Sequence, residues 1–408
     1  MTMVSLLLYL DPGTGSLLIY AIVGIITTVL FAIRGFWYSL RGKIFFGKKG
    51  AVKEMPDLVF HSEGGKYWSV FQPVLKALDQ YNIKYGFITP DKNDPVFSAG
   101  LKNVIPVCPG NELMTLSYMN QLKAKVVVST TPQLDVYMLK RSKHVATYVY
   151  LFHAIVDIGM YEIFAFDFYD ILLCTGLYQK ESIRNIEKKR QEKPKVLLDT
   201  GCTYFDYMLE EIKKLSSGPD EQLTILYAPA WGERSSVVKY GTAVIDVLVA
   251  SGIRVIFRPH PQMYVSDKQI IQAVEKKIKG NNLIELDRNR TAVASMARSH
   301  AMVTDISGVI FDYAFLFEKP IFLVNADYSP TGCEVLDVDN GKIWELEKIQ
   351  EITHIIKPNE IKKLDAIIKS DLINAHVYRD KIKKIKSEEV YNWGYAGEIA
   401  ATQLMEIL

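Results

Sequence analysis

Short apolar runs alternate with longer amphipathic stretches over most of the chain. The runs are rich in Val and Ile, and their length suits strands buried on both faces of a parallel sheet. They lie at residues 57–60, 85–89, 104–107, 125–129, 145–152, 171–175 and 196–198, and again at 223–227, 255–257, 283–286, 301–304 and 321–324. Because strands that alternate with helical patterns form βαβ units, we expect an α/β protein.

A polar stretch rich in breaker residues separates the two series of strands. It reads Lys213-Lys-Leu-Ser-Ser-Gly-Pro-Asp-Glu-Gln222, a composition typical of a linker. We therefore expect two doubly wound, Rossmann-type domains that face each other across a cleft, at residues 51–215 and 222–360. Residues 361–408 have a helical period, and we expect these C-terminal helices to pack back on the first domain.

The first 50 residues differ from this pattern and predict a membrane anchor. Residues 17–33 carry no charge and would extend about 26 Å as a helix, close to the roughly 30 Å apolar core of a bilayer. Trp37 and Tyr38 follow where interfacial aromatic residues are expected. No Lys or Arg precedes this run. Between the run and the next acidic residue, Glu54, there are six: Arg34, Arg41, Lys43, Lys48, Lys49 and Lys53. The positive-inside rule thus places the later domains in the cytoplasm, at the cell membrane.

Three topologies of the anchor stay open. A shorter apolar run at residues 4–10 is joined to the longer one by the turn-rich string Asp11-Pro-Gly-Thr-Gly-Ser16. A single span, a re-entrant hairpin and a core helix of a soluble protein all fit this order. The Gly-Thr-Gly lacks the preceding strand and the Lys of a phosphate-binding loop, so Thr14 or Ser16 is better interpreted as a helix N-cap.

Composition narrows the choice of partners and cofactors. The 48 Lys and Arg against 46 Asp and Glu leave a net charge of +2, so nucleic acid is not an expected partner. The four cysteines are far apart, with no Cys-x-x-Cys pair, as in a protein with reduced thiols. Asp337-Val-Asp339 has the spacing of a metal-chelating pair, but the Asn-Gly that follows favours a turn. We therefore expect neither a metal nor another cofactor.

The string Arg258-Pro-His-Pro261 directly follows a predicted strand. Two prolines around a histidine end the strand and hold the imidazole rigidly beside a guanidinium. Arg258 offers a fixed fork of donors and His260 donates a hydrogen bond or a proton, so the pair suits an oxyanion. The alternative is a turn with a solvated arginine.

A second string, Thr304-Asp-Ile-Ser-Gly308, precedes an apolar helical pattern at residues 309–317. Small residues at a helix start leave backbone N–H groups free for a phosphate, with Ser307 and Gly308 as the best candidates. An ordinary N-cap by Asp305 or Ser307 is the alternative. Asp312, one turn later, would reach a ribose hydroxyl or bond to the backbone inside the helix.

Two further residues follow predicted strands. Trp231 ends Tyr227-Ala-Pro-Ala-Trp231 and would place an aromatic face over the cleft, although packing alone would also explain it. His153 follows the long strand at residues 145–152 and would face the cleft from the first domain as a general base; the alternative is a structural histidine.

In this order the motifs resemble those of the CDP-glycerol glycerophosphotransferases, the teichoic acid primases and polymerases. The resemblance covers residues 145–330 and rests on Gly201-Cys-Thr-Tyr-Phe-Asp206, Tyr227-Ala-Pro-Ala-Trp231, Arg258-Pro-His-Pro261, Thr304-Asp-Ile-Ser-Gly308 with Asp312, and Lys319-Pro-Ile321 with Asp327. It implies a two-lobed GT-B fold, a CDP-activated polyol donor and a membrane-held acceptor. The family commonly has His-Gly followed by Pro and Lys in the first lobe, where this chain reads His153-Ala-Ile-Val-Asp157.

The resemblance further implies a transferase that moves glycerol phosphate from CDP-glycerol, or a related CDP-polyol, to a hydroxyl of a lipid-linked or glycan acceptor. Teichoic acid-like or other surface polymers are such products. The residues it assigns are His153 and His260 for catalysis, Arg258, Thr304, Asp305, Ser307 and Gly308 for the diphosphate, and Asp312, Trp231 and Gly201 for the nucleotide. A GT-B glycosyltransferase that uses a nucleotide sugar and a membrane-tethered nucleotide-binding module are the alternatives. The sequence gives no oligomeric state.

Overall fold

The structure is a computed structural model that describes residues 54–216, 218–289, 291–325, 332–338 and 343–408. The predicted membrane anchor, residues 1–50, lies outside the described residues, as do Asp327 and Asp339. Within the described ranges, no helix is both long enough and apolar enough to cross a bilayer.

The described strands and helices alternate along the chain. The strands are β1 Leu58–His61, β2 Tyr85–Ile88, β3 Val104–Val107, β4 Ala124–Ser129, β5 Val145–Leu151, β6 Ile171–Cys174, β7 Val196–Asp199, β8 Thr224–Ala228, β9 Arg254–Phe257, β10 Ile284–Leu286, β11 Ala301–Asp305, β12 Ile321–Asn325 and β13 Thr353–Ile355. The α-helices are Trp68–Gln80, Glu112–Met119, Leu177–Arg190, Thr203–Lys213, Ser236–Tyr240, Ala243–Ala250, Met263–Ser266, Lys268–Ile278, Val293–Arg298, Val309–Phe317, Trp344–Ile352, Leu364–Leu372, Ala375–Glu389 and Ala396–Ile407.

The first seven strands form one parallel sheet, in the order β3-β2-β1-β4-β5-β6-β7. Its central strands are largely buried because both faces are covered: all four residues of β1 and of β6 are buried. The chain winds outward from β1 in one direction and then returns through β4 in the other. The carboxyl ends of β1 and β4 therefore flank a topological switch point, where ligands bind in folds of this kind.

The remaining strands form a second parallel sheet, in the order β10-β9-β8-β11-β12-β13. Its switch point lies between β8 and β11. The two sheets confirm the predicted α/β class. The sequence pattern missed only the edge strand β13 among the described strands, because its three residues, Thr-His-Ile, directly follow a helix and form no apolar run.

Two lobes share part of their hydrophobic core. We call residues 54–213 with 391–408 the first lobe and residues 220–389 the second lobe. One buried cluster combines Tyr178 and Phe205 of the first lobe with Leu226 and Phe311 of the second. Because apolar contacts fill this boundary, the lobes are packed against each other rather than joined only by a linker.

The last helix, Ala396–Ile407, packs on the first lobe. Its Ala400, Ala401 and Leu404 lie in the cluster that also contains residues of β1 and of helix Trp68–Gln80. The carboxylate of Asp206 accepts the N–H of Gly397 at 2.7 Å, so it binds one of the free amides at the start of this helix.

Candidate active site

The second sheet brings three of the predicted motifs to one edge. Trp231 follows β8, Arg258 and His260 follow β9, and Ser307 and Gly308 follow β11. These three strands are neighbours in the order β9-β8-β11, and all run parallel. Their carboxyl ends therefore meet at the switch point of the second lobe, the expected position of a ligand.

Arg258 is held by an acidic partner that the sequence motifs did not include. Its Nη1 donates to Oδ2 of Asp287 at 2.7 Å and to the carbonyl of Asn289 at 3.1 Å. Asp287 is itself fixed, since its carboxylate also accepts the Ser295 hydroxyl at 2.5 Å and the Asn289 N–H at 2.8 Å. The guanidinium is thus oriented, but its charge is balanced, so its contribution to an anion site is directional donors more than net positive charge.

His260 and Trp231 form an open aromatic pair at the same edge. Their ring centroids are 6.0 Å apart with 28° between the planes, and Trp231 is 50% exposed. Nδ1 of His260 accepts the Gln262 N–H at 3.2 Å, which leaves Nε2–H as the donor of the neutral ring. Partial burial lowers the pKa of His260 below its usual value, so the neutral form is favoured near pH 7.

The helix start after β11 is open. Helix Val309–Phe317 has Gly308 at its N-cap, with φ −57° and with no atom within 4 Å of the position that a Cβ would occupy. Neither the backbone conformation nor packing requires glycine here. The first N–H groups of a helix have no acceptor within the helix and carry its positive dipole end, so this start is suited to an oxyanion.

Thr304 and Asp305, the residues predicted to bind the diphosphate, are the last two residues of β11. Both are buried. Thr304 Oγ1 donates to the Ala228 carbonyl at 2.7 Å, and Asp305 Oδ2 accepts the N–H groups of Ala230 at 2.9 Å and Ser236 at 3.0 Å. These bonds hold the loop that carries Trp231. Oδ1 of Asp305 is buried without a hydrogen-bond partner within the described ranges, and contact of either residue with a diphosphate stays a prediction.

Gly201, predicted to bind the nucleotide, has a structural role in the described part of the chain. It lies after β7 of the first lobe, with φ +95°, a region that favours glycine. A Cβ there would lie 2.4 Å from the carbonyl oxygen of Tyr391 and 3.0 Å from Cβ of Ala396. This glycine therefore allows the C-terminal segment to approach the first lobe, and its predicted contact with the nucleotide stays a prediction.

Asp312 faces the boundary between the lobes. Its Oδ2 lies 3.4 Å from the hydroxyl of Tyr204, which belongs to helix Thr203–Lys213 of the first lobe. Burial raises the pKa of Asp312 to about 7, so this carboxyl is close to half protonated at neutral pH. The geometry places it one helical turn behind the open start at Gly308, and its contact with a ribose stays a prediction.

His153 lies in the first lobe, directly after β5. Its ring packs edge-on against Tyr67 with centroids 5.6 Å apart, and its Nδ1 is buried without a hydrogen-bond partner in the described part of the chain. Burial lowers the pKa of His153, so the ring is neutral near pH 7 and able to accept a proton. Within the described ranges, no hydrogen bond or ring contact joins His153 to the second-lobe residues, and its role as a base stays a prediction.

Polar contacts also cross the boundary between the lobes. Asp157 Oδ2 accepts the N–H of Trp344 at 2.7 Å, and Glu345 Oε2 accepts the N–H of Asp157 at 3.2 Å. Arg190 donates to Asp167 and Asp337, with N–O distances of 2.7 Å for each, and also to Glu334. Asp337, weighed above as one half of a metal pair, is thus engaged in an ion-pair cluster. No group of three potential metal ligands occurs among the described residues.

The sequence analysis missed Asp287 and His61, although both carry a signal that it had used elsewhere. Asp287 directly follows β10, and His61 ends β1. That signal is a polar or charged residue at the carboxyl end of a predicted strand, the criterion that singles out His153. Applied to every predicted strand, the same criterion would have found both.

Residues 180–333, a little over a third of the chain, match the family model described as CDP-Glycerol:Poly(glycerophosphate) glycerophosphotransferase. No curated protein matches the sequence. The matched segment contains all the second-lobe motifs named above.

Solved structures share the architecture over most of the chain. The wall teichoic acid polymerase TagF is 18% identical with a TM-score of 0.60, over 92% of this chain and 97% of that chain. A histidine-to-asparagine variant of TagF soaked with CDPG is 17% identical with a TM-score of 0.56, over 92% and 98%. UDP-GlcNAc 2-epimerase from Methanocaldococcus jannaschii, in complex with UDP-GlcNAc and UDP, is 13% identical with a TM-score of 0.54, over 86% and 99%.

At these identities the structural likeness establishes the GT-B-like fold alone, and the family model matches residues 180–333. The match spans the motifs on which the resemblance rested, from Gly201 to Lys319. The resemblance is therefore confirmed over residues 180–333, and the match to the glycerophosphotransferase family supports a transferase.

Proposed function

We propose that this enzyme transfers glycerol phosphate from CDP-glycerol, or a related CDP-polyol, to a hydroxyl of a lipid-linked or glycan acceptor and releases CMP. The observation that carries the proposal is the meeting of Trp231, Arg258, His260 and Gly308 at one switch point, inside the segment that matches the family. The soaked TagF variant, which shares the fold, supports CDP-glycerol as the donor.

The second lobe offers three kinds of donor to a diphosphate. The open helix start at Gly308 provides backbone N–H groups and a dipole. His260 provides Nε2–H, and the fork of Arg258 provides the donors that Asp287 and Asn289 do not occupy. Such preorganised donors stabilise the charge that develops on the phosphoryl oxygens and on the leaving CMP.

The nucleotide side of the donor is assigned to Trp231 and Asp312. The exposed face of Trp231 suits stacking on a pyrimidine base, because a broad aromatic surface contributes apolar contact without demanding a fixed register. Asp312, one turn into helix Val309–Phe317, is the carboxyl assigned to a ribose hydroxyl.

The transfer step is an in-line displacement at the β-phosphorus. The acceptor oxygen forms a bond to this phosphorus, the bond to the oxygen that bridges the two phosphates breaks, and CMP leaves with the electron pair of that bond. The acceptor hydroxyl gives its proton to His153, whose neutral ring accepts it and later releases it to solvent.

We further propose that residues 1–50 hold the enzyme at the cytoplasmic face of the cell membrane, where a lipid-linked acceptor is presented. The uncharged run at 17–33 and the basic residues that follow it support this location. A chain that starts at Glu54 should move from the membrane fraction to the soluble fraction in carbonate-washed cell lysates. Removal of the anchor without release would contradict the proposal.

The donor is tested with the full chain in detergent or native membranes. CDP-glycerol, CDP-ribitol and a panel of UDP-sugars are supplied with membrane acceptor, and nucleotide release and labelled product are measured. We expect CMP release and product from a CDP-polyol alone. Product formed only from a UDP-sugar would instead identify a glycosyltransferase.

A further inference from the structure

A cavity of about 410 Å³ lies in the first lobe, away from the second-lobe site. Its lining includes His61 at the end of β1, Glu63 just after it, Thr131 after β4, and Glu112 and Thr115 at the start of helix Glu112–Met119. β1 pairs with both β2 and β4, so the cavity lies at the switch point of the first sheet. The first lobe thus has a ligand-sized cavity at the carboxyl edge of its own sheet, in addition to the candidate site of the second lobe.

Two hydroxyl groups on the cavity wall have no partner. Oγ1 of Thr115 and Oγ1 of Thr131 are buried and make no hydrogen bond within the described ranges. Thr115 is 1% exposed, so solvent outside the cavity does not reach it. A buried polar group without a partner is costly, and native proteins rarely keep one unless a ligand or an ordered water supplies the missing hydrogen bond.

The charges of the cavity do not suit a phosphate. Lys66 Nζ lies 3.3 Å from the carboxylate of Glu63, so its charge is paired, while Glu112 adds a further carboxylate to the wall. His61 is 4% exposed, hydrogen-bonds through Nδ1 with Ser129 Oγ at 3.1 Å, and is neutral because burial lowers its pKa to about 4. Carboxylates, an imidazole and hydroxyls in this arrangement instead suit a ligand rich in uncharged hydroxyl groups.

A single aromatic ring connects this cavity to the predicted base. Lys66 Nζ lies 4.8 Å from the centroid of the Tyr67 ring, and the same ring packs edge-on against His153 at 5.6 Å. The ring of Tyr67 therefore links Lys66, on the cavity wall, to His153. We expect a hydroxyl of a bound ligand to approach the base from the side of this ring.

We propose that this cavity binds an uncharged, polyhydroxylated unit of the acceptor, a sugar or polyol residue rather than a phosphate, through Thr115, Thr131 and Glu112. The inference rests on the proposed transfer reaction, because it identifies the acceptor-side group of that reaction. The inference extends the proposed function, because it assigns a recognition site that is separate from both His153 and the second-lobe motifs.

Binding is tested on the full chain in detergent by ligand-observed NMR, which needs no turnover. The probes are ribitol and N-acetylglucosamine, with glycerol 3-phosphate and inorganic phosphate as charged counterparts. The double variant Thr115→Val/Thr131→Val removes both hydroxyls at nearly constant shape, and Thr402→Val, on the exposed face of helix Ala396–Ile407, is the matched control. Loss of two neutral hydrogen bonds should weaken binding about tenfold.

We expect an uncharged probe to bind the wild type and Thr402→Val, and to bind the double variant about tenfold more weakly. The melting temperature should not fall, because the deleted hydroxyls have no partner in the free protein. In transfer assays, the acceptor KM should rise while the KM for CDP-glycerol stays unchanged. Preference for the charged probes, no binding of uncharged probes, or equal binding by the double variant would overturn the inference. Absence of transfer by the wild type would instead contradict the proposed function. The NMR experiment would still test whether the cavity binds an uncharged ligand.

Discussion

Each predicted motif contains residues of two kinds. Thr304, Asp305 and Lys319 bond to backbone groups inside the fold; the ammonium of Lys319 alone donates to the carbonyls of Met296, Ala297 and Ser299. His260 and Trp231 stand at the surface of the same sheet edge. The buried members hold loops and helix ends in place, and the exposed members are available to a ligand. A motif match by itself does not separate these roles, because both kinds are needed to build one site.

His153 is the residue on which the acceptor side of the mechanism depends. We expect His153→Ala to lower the transfer rate roughly 10²- to 10⁴-fold, the usual contribution of a general base, while the thermal shift caused by CDP is retained. His144→Ala is the matched control, since His144 is exposed and lies just before the same strand. Turnover at the wild-type rate in His153→Ala would exclude this histidine as the base.

At the level of elements, helix starts have two different uses in this protein. The start of Ala396–Ile407 is satisfied from within, by the carboxylate of Asp206. The start of Val309–Phe317 has no side-chain cap and opens beside the second-lobe switch point. Since free N–H groups at a helix start need an acceptor, the first start closes the fold and the second is left to a ligand.

The open start predicts a binding effect without a folding effect. A methyl group at Gly308 has free space in the protein, so Gly308→Ala should leave the melting temperature nearly unchanged but raise the KM for CDP-glycerol roughly tenfold by blocking close approach of the diphosphate. Gly280→Ala, an exposed glycine with equally free space, is the control and should change neither quantity. An unchanged KM in Gly308→Ala would argue against phosphate binding at this helix.

For Gly201 we expect the opposite of Gly308: a substitution should lower stability, because the C-terminal segment packs closely against this glycine. Gly201→Ala combines a left-handed backbone with a clash against the Tyr391 carbonyl, and should lower the free energy of unfolding by about 3 kcal/mol. Gly252→Ala shares the positive φ, +74°, but has free space, so chemical denaturation should give a loss of only about 1 kcal/mol. Equal losses in the two variants would mean that the contact with the C-terminal segment contributes little.

Across the whole molecule, the lobes are joined by both apolar and polar contacts. Tyr178 of the first lobe stacks on Trp344 of the second, with ring centroids 3.8 Å apart. Beside this pair, the Asp157 carboxylate accepts the N–H of Trp344 and the Glu345 carboxylate accepts the N–H of Asp157. These two carboxyl groups are buried near each other, and burial raises the pKa of both, that of Glu345 to about 8. The boundary is therefore most stable when at least one of them keeps its proton.

This pair predicts how stability depends on pH. The folded protein keeps a proton on Glu345 up to about pH 8, whereas the unfolded chain loses it near the ordinary glutamate value, so stability should fall as pH rises through this window. Between pH 6 and 8.5 the loss from this group is on the order of 2–3 kcal/mol. Glu345→Gln should flatten the dependence in chemical denaturation, and Glu351→Gln, an exposed residue on the same helix, should not. Identical slopes in wild type and Glu345→Gln would contradict the assignment.

Sequence patterns were sufficient for most of the fold and part of the site. The run at 171–175 became a strand with nearly the predicted bounds, Ile171–Cys174, because a strand covered on both faces is apolar at every position. The order of the strands in the sheet follows from parallel winding, which brings the motifs at residues 231, 258–260 and 307–308 to one edge. The three-residue strand β13 escaped notice because it is too short to leave a pattern.

The sequence alone determined the α/β class, the two series of strands and the motifs at strand ends, since periodicity and breaker residues are local properties of the chain. Only the tertiary structure decided which motif residues face outward and which are bonded inside. Arg258 contacts Asp287, and Gly201 lies against Tyr391. Asp157 bonds to Glu345, which is 188 positions away in the sequence. Contacts between distant positions depend on how whole elements pack, and no local pattern records that.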